Sequence, residues 1–80
     1  MNSQAKLFDV VALLFDLPEL GLYRGQVGTV VEEYEPGVFE VEFSDTNGRA
    51  YALETLSADH LMVLYHHRID DAMLSSKVAN

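Results

Sequence analysis

The fold is decided by ten residues, Leu22 to Val31, which read LYRGQVGTVV. Two glycines three residues apart, Gly25 and Gly28, come just before and within a β-branched run. Glycine suits a tight turn because it adopts positive φ without strain, and Val and Thr are typical of strands. The stretch therefore predicts a turn that leads into a strand, as in a small, curled β-barrel.

Working outward, the sequence predicts five short strands. The clearest alternation places Phe39, Val41 and Phe43 on one face and Glu40 and Glu42 on the other, which indicates a half-buried strand. Turn residues at 35–37 and at 45–48 predict a hairpin on each side of it. The expected strands cover residues 7–14, 26–34, 39–43, 49–56 and 61–65, with helix as the competing interpretation of the first.

Smaller features complete this prediction. Gly28 is expected to mark a bulge that lets Val27 and Val30 share a face. Residues 57–60 are typical of one helical or 3₁₀ turn capped by Ser57. The fold class is thus all-β, a five-stranded SH3-like barrel, closed or nearly closed, over residues 1–65. Residues 66–80 form a C-terminal tail, either disordered or a short facultative helix.

Composition limits the class of protein. Eighty residues make one small domain, and the chain contains no cysteine, which excludes disulfides and thiolate metal sites. No secretory signal or apolar run of membrane-spanning length is present, so we expect a cytoplasmic protein.

The charge distribution is the main functional clue. The net charge is −8, and no Lys or Arg lies between Arg24 and Arg49. A surface of this sign repels nucleic acid and attracts a basic protein, although it also serves simply to keep a small domain soluble. The acidic residues in this interval are Glu32, Glu33, Glu35, Glu40, Glu42 and Asp45.

Catalytic and metal-binding patterns are weak, and we expect neither an enzyme nor a cofactor. The paired strand glutamates lack a cleft that would raise a pKa, and the two glycines lack the third glycine of a dinucleotide loop. Adjacent His66 and His67 point to opposite faces of a strand, so they do not converge on one ion. We therefore expect surface histidines and no metal site from the set His60, His66, His67, Asp59, Asp70 and Asp71.

Several segments together resemble a family of short bacterial proteins, often cyanobacterial, described as a domain of unknown function. The resemblance covers about residues 7–64. It implies an SH3-like fold and no particular activity, and the family's frequent pairing with a second small gene implies a toxin–antitoxin or similar system. The matching segments are Phe8–Leu13, Asp16–Glu19, Gly21–Glu32, Val38–Phe43 and Gly48–Leu53.

A looser similarity links Arg24–Val30 to the KOW segment of ribosomal and transcription factors, in which a glycine-centred turn opens an SH3-like barrel and contacts RNA. The chain departs from that pattern because it lacks the flanking lysines and arginines. Proline-rich ligand binding of the eukaryotic SH3 type is disfavoured as well, because the chain has no Trp and its tyrosines are scattered.

The sequence therefore predicts a non-catalytic acidic module that binds a basic protein, in its most concrete form an antitoxin-like partner. The alternatives are a KOW-like RNA- or ribosome-associated module and a small accessory subunit of a larger complex. The candidate partner-binding residues are Tyr23, Arg24, Glu32, Glu33, Glu35, Glu40, Glu42, Asp45 and Tyr51.

Overall fold

The computed structural model describes residues 5–67, which form five strands and two 3₁₀ turns. The strands are β1 (Val10–Leu13), β2 (Val27–Glu35), β3 (Val38–Ser44), β4 (Ala50–Ser57) and β5 (Leu61–Tyr65). The 3₁₀ turns are Pro18–Leu20, between β1 and β2, and Ala58–His60, between β4 and β5.

All five strands belong to one antiparallel sheet in the order β4-β3-β2-β1-β5. This arrangement confirms the predicted all-β domain with a 3₁₀ turn before the last strand. The sheet is not closed into a barrel, because β4 and β5 lie at opposite ends of this order and do not pair. No helix in the described part of the chain is long and apolar enough to cross a membrane.

The core lies on one face of this curled sheet. Phe39, Val41 and Phe43 of β3 are fully buried, as their alternation predicted. Burying a large apolar side chain contributes about 1.5–3 kcal/mol, so this strand supplies much of the stabilisation of a small domain. The remaining buried apolar residues are Ala5, Val11, Leu13, Leu22, Val30, Leu56 and Leu61.

Gly28 serves a different purpose from the predicted bulge. It pairs in regular register with Val11 on one side and Phe43 on the other, and the irregularities of β2 lie further along. A Cβ at Gly28 would lie 2.8–2.9 Å from the Val41 and Phe43 side chains and the Glu42 carbonyl oxygen. Glycine is present at this position because core side chains pack directly onto its backbone. Val27 is exposed, so it does not share the core face with the buried Val30 as predicted.

The first strand begins three residues later than predicted and is not a helix. Phe8 has a φ of +68°, which breaks the extended backbone before β1. The Lys6 N–H donates to the Asp9 carboxylate at 2.7 Å, and the Asp9 N–H donates to the Lys6 carbonyl at 3.0 Å. These two hydrogen bonds close a turn. The sequence did not indicate it, because Leu7 and Phe8 are apolar and are typical of a strand, although both are half-exposed in the structure.

The second 3₁₀ turn lies where it was predicted, but Ser57 does not cap it through its side chain. The Ser57 hydroxyl bonds instead to Nδ1 of His60 at 3.1 Å. His66 and His67 of the predicted tail lie against the start of β1, and the rest of that tail, residues 68–80, lies outside the described residues.

Candidate functional site

Three predicted acidic residues come together on the face of the sheet opposite the core, here called the outer face. Because side chains alternate along a strand, Glu40 and Glu42 of β3 point away from the buried Phe39, Val41 and Phe43. Glu40 lies opposite Glu32 of β2. We call Glu32, Glu40 and Glu42 the acidic row.

Two hydroxyl groups fix the carboxylate of Glu40. The Tyr34 hydroxyl donates to Oε1 of Glu40 at 3.1 Å, and the Thr55 hydroxyl donates to the same oxygen at 2.9 Å. The hydrogen bond to Glu40 raises the pKa of Tyr34 above its ordinary value, with smaller contributions from desolvation and from the charges of Glu40 and Glu32. The acidic row therefore has one carboxylate of defined position and a local excess of negative charge.

Within residues 5–67, no Lys or Arg forms an ion pair with the acidic row. Arg24 and Arg49 are each held by the backbone, since the Arg24 N–H donates to Asp16 at 2.9 Å and the Arg49 N–H donates to Asp45 at 3.0 Å. Neither arginine forms an ion pair with the acidic strands in this part of the chain. The described residues therefore leave the charge of the row unneutralised.

The other predicted acidic residues occupy different places. Asp45 organises the β3–β4 turn by accepting the backbone N–H groups of Asn47 and Arg49. Glu33 and Glu35 are exposed near the β2–β3 turn, at positions where the pairing register shifts. Glu35 lies opposite Val38 on the outer face and extends the negative surface beyond the row, whereas Glu33 lies opposite the buried Phe39 and so faces the core side of the sheet.

Tyr23 and Tyr51 are brought together by Gln26, which the sequence did not single out. The Gln26 side-chain oxygen accepts the Tyr23 N–H, and its side-chain nitrogen donates to the Tyr51 hydroxyl at 2.9 Å. The Tyr51 ring lies 6.4 Å from the ring of the buried Phe43. These contacts link the loop before β2 to strand β4 and to the edge of the core, and none of them reaches the acidic row.

Sequence analysis missed a buried polar centre at the start of β1. Asp9 is fully buried, and Nδ1 of His66 lies 2.6 Å from its Oδ2. The Lys6 N–H donates to Oδ2 at 2.7 Å and the His67 N–H donates to Oδ1 at 2.8 Å. The available signal was a lone Asp between apolar pairs, Leu7-Phe8 and Val10-Val11, but its partner lies 57 residues away and has no local signature.

This polar centre has a structural role, because it connects the residues after β5 to the start of β1. Both carboxylate oxygens of Asp9 have hydrogen-bond partners, since Oδ2 lies near the Lys6 N–H and Nδ1 of His66 and Oδ1 accepts the His67 N–H. Residues 5–67 contain no group of three or more side chains that could hold a metal ion, and Asp70 and Asp71 of the set considered above lie outside them.

The fold and the acidic row define a small all-β protein with one highly charged sheet face. A family model for a domain of unknown function, DUF4926, matches residues 7–63, which is more than half of the chain. The chain belongs to this family. No curated protein and no solved structure matches it.

Proposed function

We propose that this chain is a non-catalytic, cytoplasmic protein-binding module whose outer sheet face binds a basic protein. The observation that carries this proposal is the acidic row, three carboxylates on adjacent strands that no Lys or Arg of the described residues neutralises. Placing like charges opposite each other on a sheet is unfavourable, so Glu32 facing Glu40 stores repulsion that a cationic partner relieves.

The proposal accounts for the structural features around the row. The hydroxyls of Tyr34 and Thr55 hold the Glu40 carboxylate in place, so less side-chain entropy is lost when a partner pairs with it. The net charge of −8 increases the rate of encounter with a basic protein and disfavours RNA. An antitoxin-like role, in which the face covers a small basic toxin, is the most specific form of this proposal.

The test compares three baits in parallel captures from lysate of the native host. They are the unaltered chain, the row variant Glu32→Gln/Glu42→Gln, and the control variant Glu19→Gln/Asp59→Asn. The two variants lose the same charge, but Glu19 and Asp59 lie on the 3₁₀ turns away from the row.

We expect one basic protein to bind the unaltered chain and the control, to be released by salt, and to be lost from the row variant. Equal capture by the row and control variants would overturn the proposal, because binding would then depend on the net charge of the chain and not on the position of the acidic row. Recovery of RNA or ribosomal components by all three baits would overturn it in favour of the KOW-like alternative.

A further inference from the structure

The outer face has a second, apolar half beside the acidic row. Strand pairing places Ala12 of β1 between Val27 of β2 and Met62 of β5, and it places Val10 beside Tyr65. We call these five residues the apolar patch. Val27, Met62 and Tyr65 are 44%, 50% and 64% exposed, so residues 5–67 leave large apolar side chains uncovered on this half of the face.

The two halves meet at Thr29. Thr29 lies opposite Glu42 on one side and Val10 on the other, so the cross-strand line runs from Glu42 through Thr29 and Val10 to Tyr65. Neighbouring strands are about 4.8 Å apart, which makes this line about 14 Å long. Apolar and negative surface are therefore within reach of a single ligand segment.

We propose that the outer face binds a cationic amphipathic helix, laid across the strands with apolar side chains on the patch and Lys or Arg at the acidic row. This inference rests on the proposed function and specifies the partner segment. A helix rises 1.5 Å per residue, so about ten residues cover the line from Tyr65 to Glu42. An amphipathic helix presents the required apolar stripe on one face and carries charge beside it.

Charge and backbone geometry decide against the other occupants. A second copy would bring together two chains that each carry a net charge of −8. A phosphate backbone or an anionic lipid surface would meet the acidic row with the same sign. An extended peptide pairs with a strand edge rather than with a sheet face, and its side chains would not span both halves.

The probes are two synthetic peptides of about 14 residues, long enough to span the face as helices. Both contain the same numbers of Leu and Lys. In the amphipathic peptide Leu recurs at helical spacing, whereas in the rearranged peptide the same residues are ordered so that no apolar face forms. The baits are the unaltered chain, the patch variant Val27→Thr/Met62→Thr, the row variant Glu32→Gln/Glu42→Gln, and a control, Leu20→Thr, at an exposed apolar residue on a 3₁₀ turn.

Thermal unfolding of each bait confirms that it is folded before binding is measured. We expect the amphipathic peptide to bind the unaltered chain about tenfold more tightly than the rearranged one, as expected for burial of one or two apolar side chains. The patch variant removes this preference and Leu20→Thr retains it. The row variant weakens both peptides and reduces the salt dependence of both.

The outcomes separate the inference from the proposed function. If both peptides bind equally, the patch variant changes nothing and the row variant weakens both, then the helix inference is overturned and the proposed function stands. If neither the patch variant nor the row variant alters the affinity for either peptide, the helix inference and the proposed function are both overturned. If the patch variant weakens the two peptides equally, the patch does not read a helical apolar face and the inference is again overturned.

Discussion

Nδ1 of His66 lies 2.6 Å from Oδ2 of Asp9, and this contact joins the residues after β5 to the start of β1. Asp9 is fully buried, and within residues 5–67 its carboxylate is hydrogen-bonded by residues outside the strands: Lys6, His66 and His67. The β1–β5 pairing is thus continued by side-chain and backbone bonds beyond the last strand. This joint holds the part of the sheet that carries the apolar patch.

Replacing Asp9 with Asn should destabilise the domain by about 2–3 kcal/mol, because the amide NH₂ group would face donors that have no other buried acceptor. Chemical denaturation measures the change. Asp59→Asn is the matched control, since it removes the same charge at an exposed residue and should change the free energy of unfolding by less than about 0.5 kcal/mol. Equal stability of the two variants would contradict the role of Asp9.

The two adjacent histidines should respond differently to substitution. His66→Ala removes the ring that is hydrogen-bonded to Asp9 and should cost about 1 kcal/mol. His67→Ala keeps the backbone N–H that donates to Asp9 and loses only the edge contact of its ring with Phe8. We expect the smaller loss of stability for His67→Ala, and the opposite order in denaturation curves would show that the Asp9–His66 contact is unimportant.

Gly28→Ala should destabilise the domain by about 1–3 kcal/mol, the usual cost of forcing an extra carbon into a packed core. The new Cβ would meet the Glu42 carbonyl oxygen at 2.9 Å, and backbone does not move aside as a flexible side chain does. Ser44→Ala, at the exposed end of β3, is the control and should be nearly neutral. A Gly28→Ala variant as stable as this control would contradict the close packing of Val41, Glu42 and Phe43 against the Gly28 backbone.

Tyr34 should titrate above its ordinary pKa of 10.0, because its hydroxyl donates to Glu40. The difference in alkaline phenolate absorbance between the unaltered chain and Tyr34→Phe isolates this group. Since folding raises its pKa, the small stabilisation it provides is present below pH 10 and is lost as the pH rises through the folded-state pKa. Glu40→Gln should shift the titration back towards 10.0, and no shift on that substitution would contradict the assigned cause.

Sequence patterns predicted the strands well and the polar contacts poorly, for physical reasons. The alternation of β3 and the two hairpin turns are local signals, so strand identity follows from short-range preferences. Phe8 is of a residue type that favours strands, and it was predicted to lie in the first one. Its positive φ is instead imposed by the turn that Asp9 closes. The Asp9–His66 contact joins distant segments, and only the folded sheet brings them together.

The candidate site shows the same division. That Glu40 and Glu42 share a face follows from the two-residue period of a strand. The addition of Glu32 to that face depends on the β2–β3 register, which shifts between Val30 and Glu32 and which composition does not encode. The apolar patch depends on the pairing of β1 with β5, the least local contact in the sheet.

The central claim is that one sheet face, half acidic and half apolar, is the binding surface. The most direct measurement is a titration of the isotope-labelled chain with the amphipathic Leu/Lys peptide, followed by amide chemical shifts. The account predicts that the largest shifts cluster at Val27, Thr29, Glu40, Glu42 and Met62. Shifts centred on the loop at Tyr23 and on Tyr51 of β4, with the outer face unchanged, would contradict it.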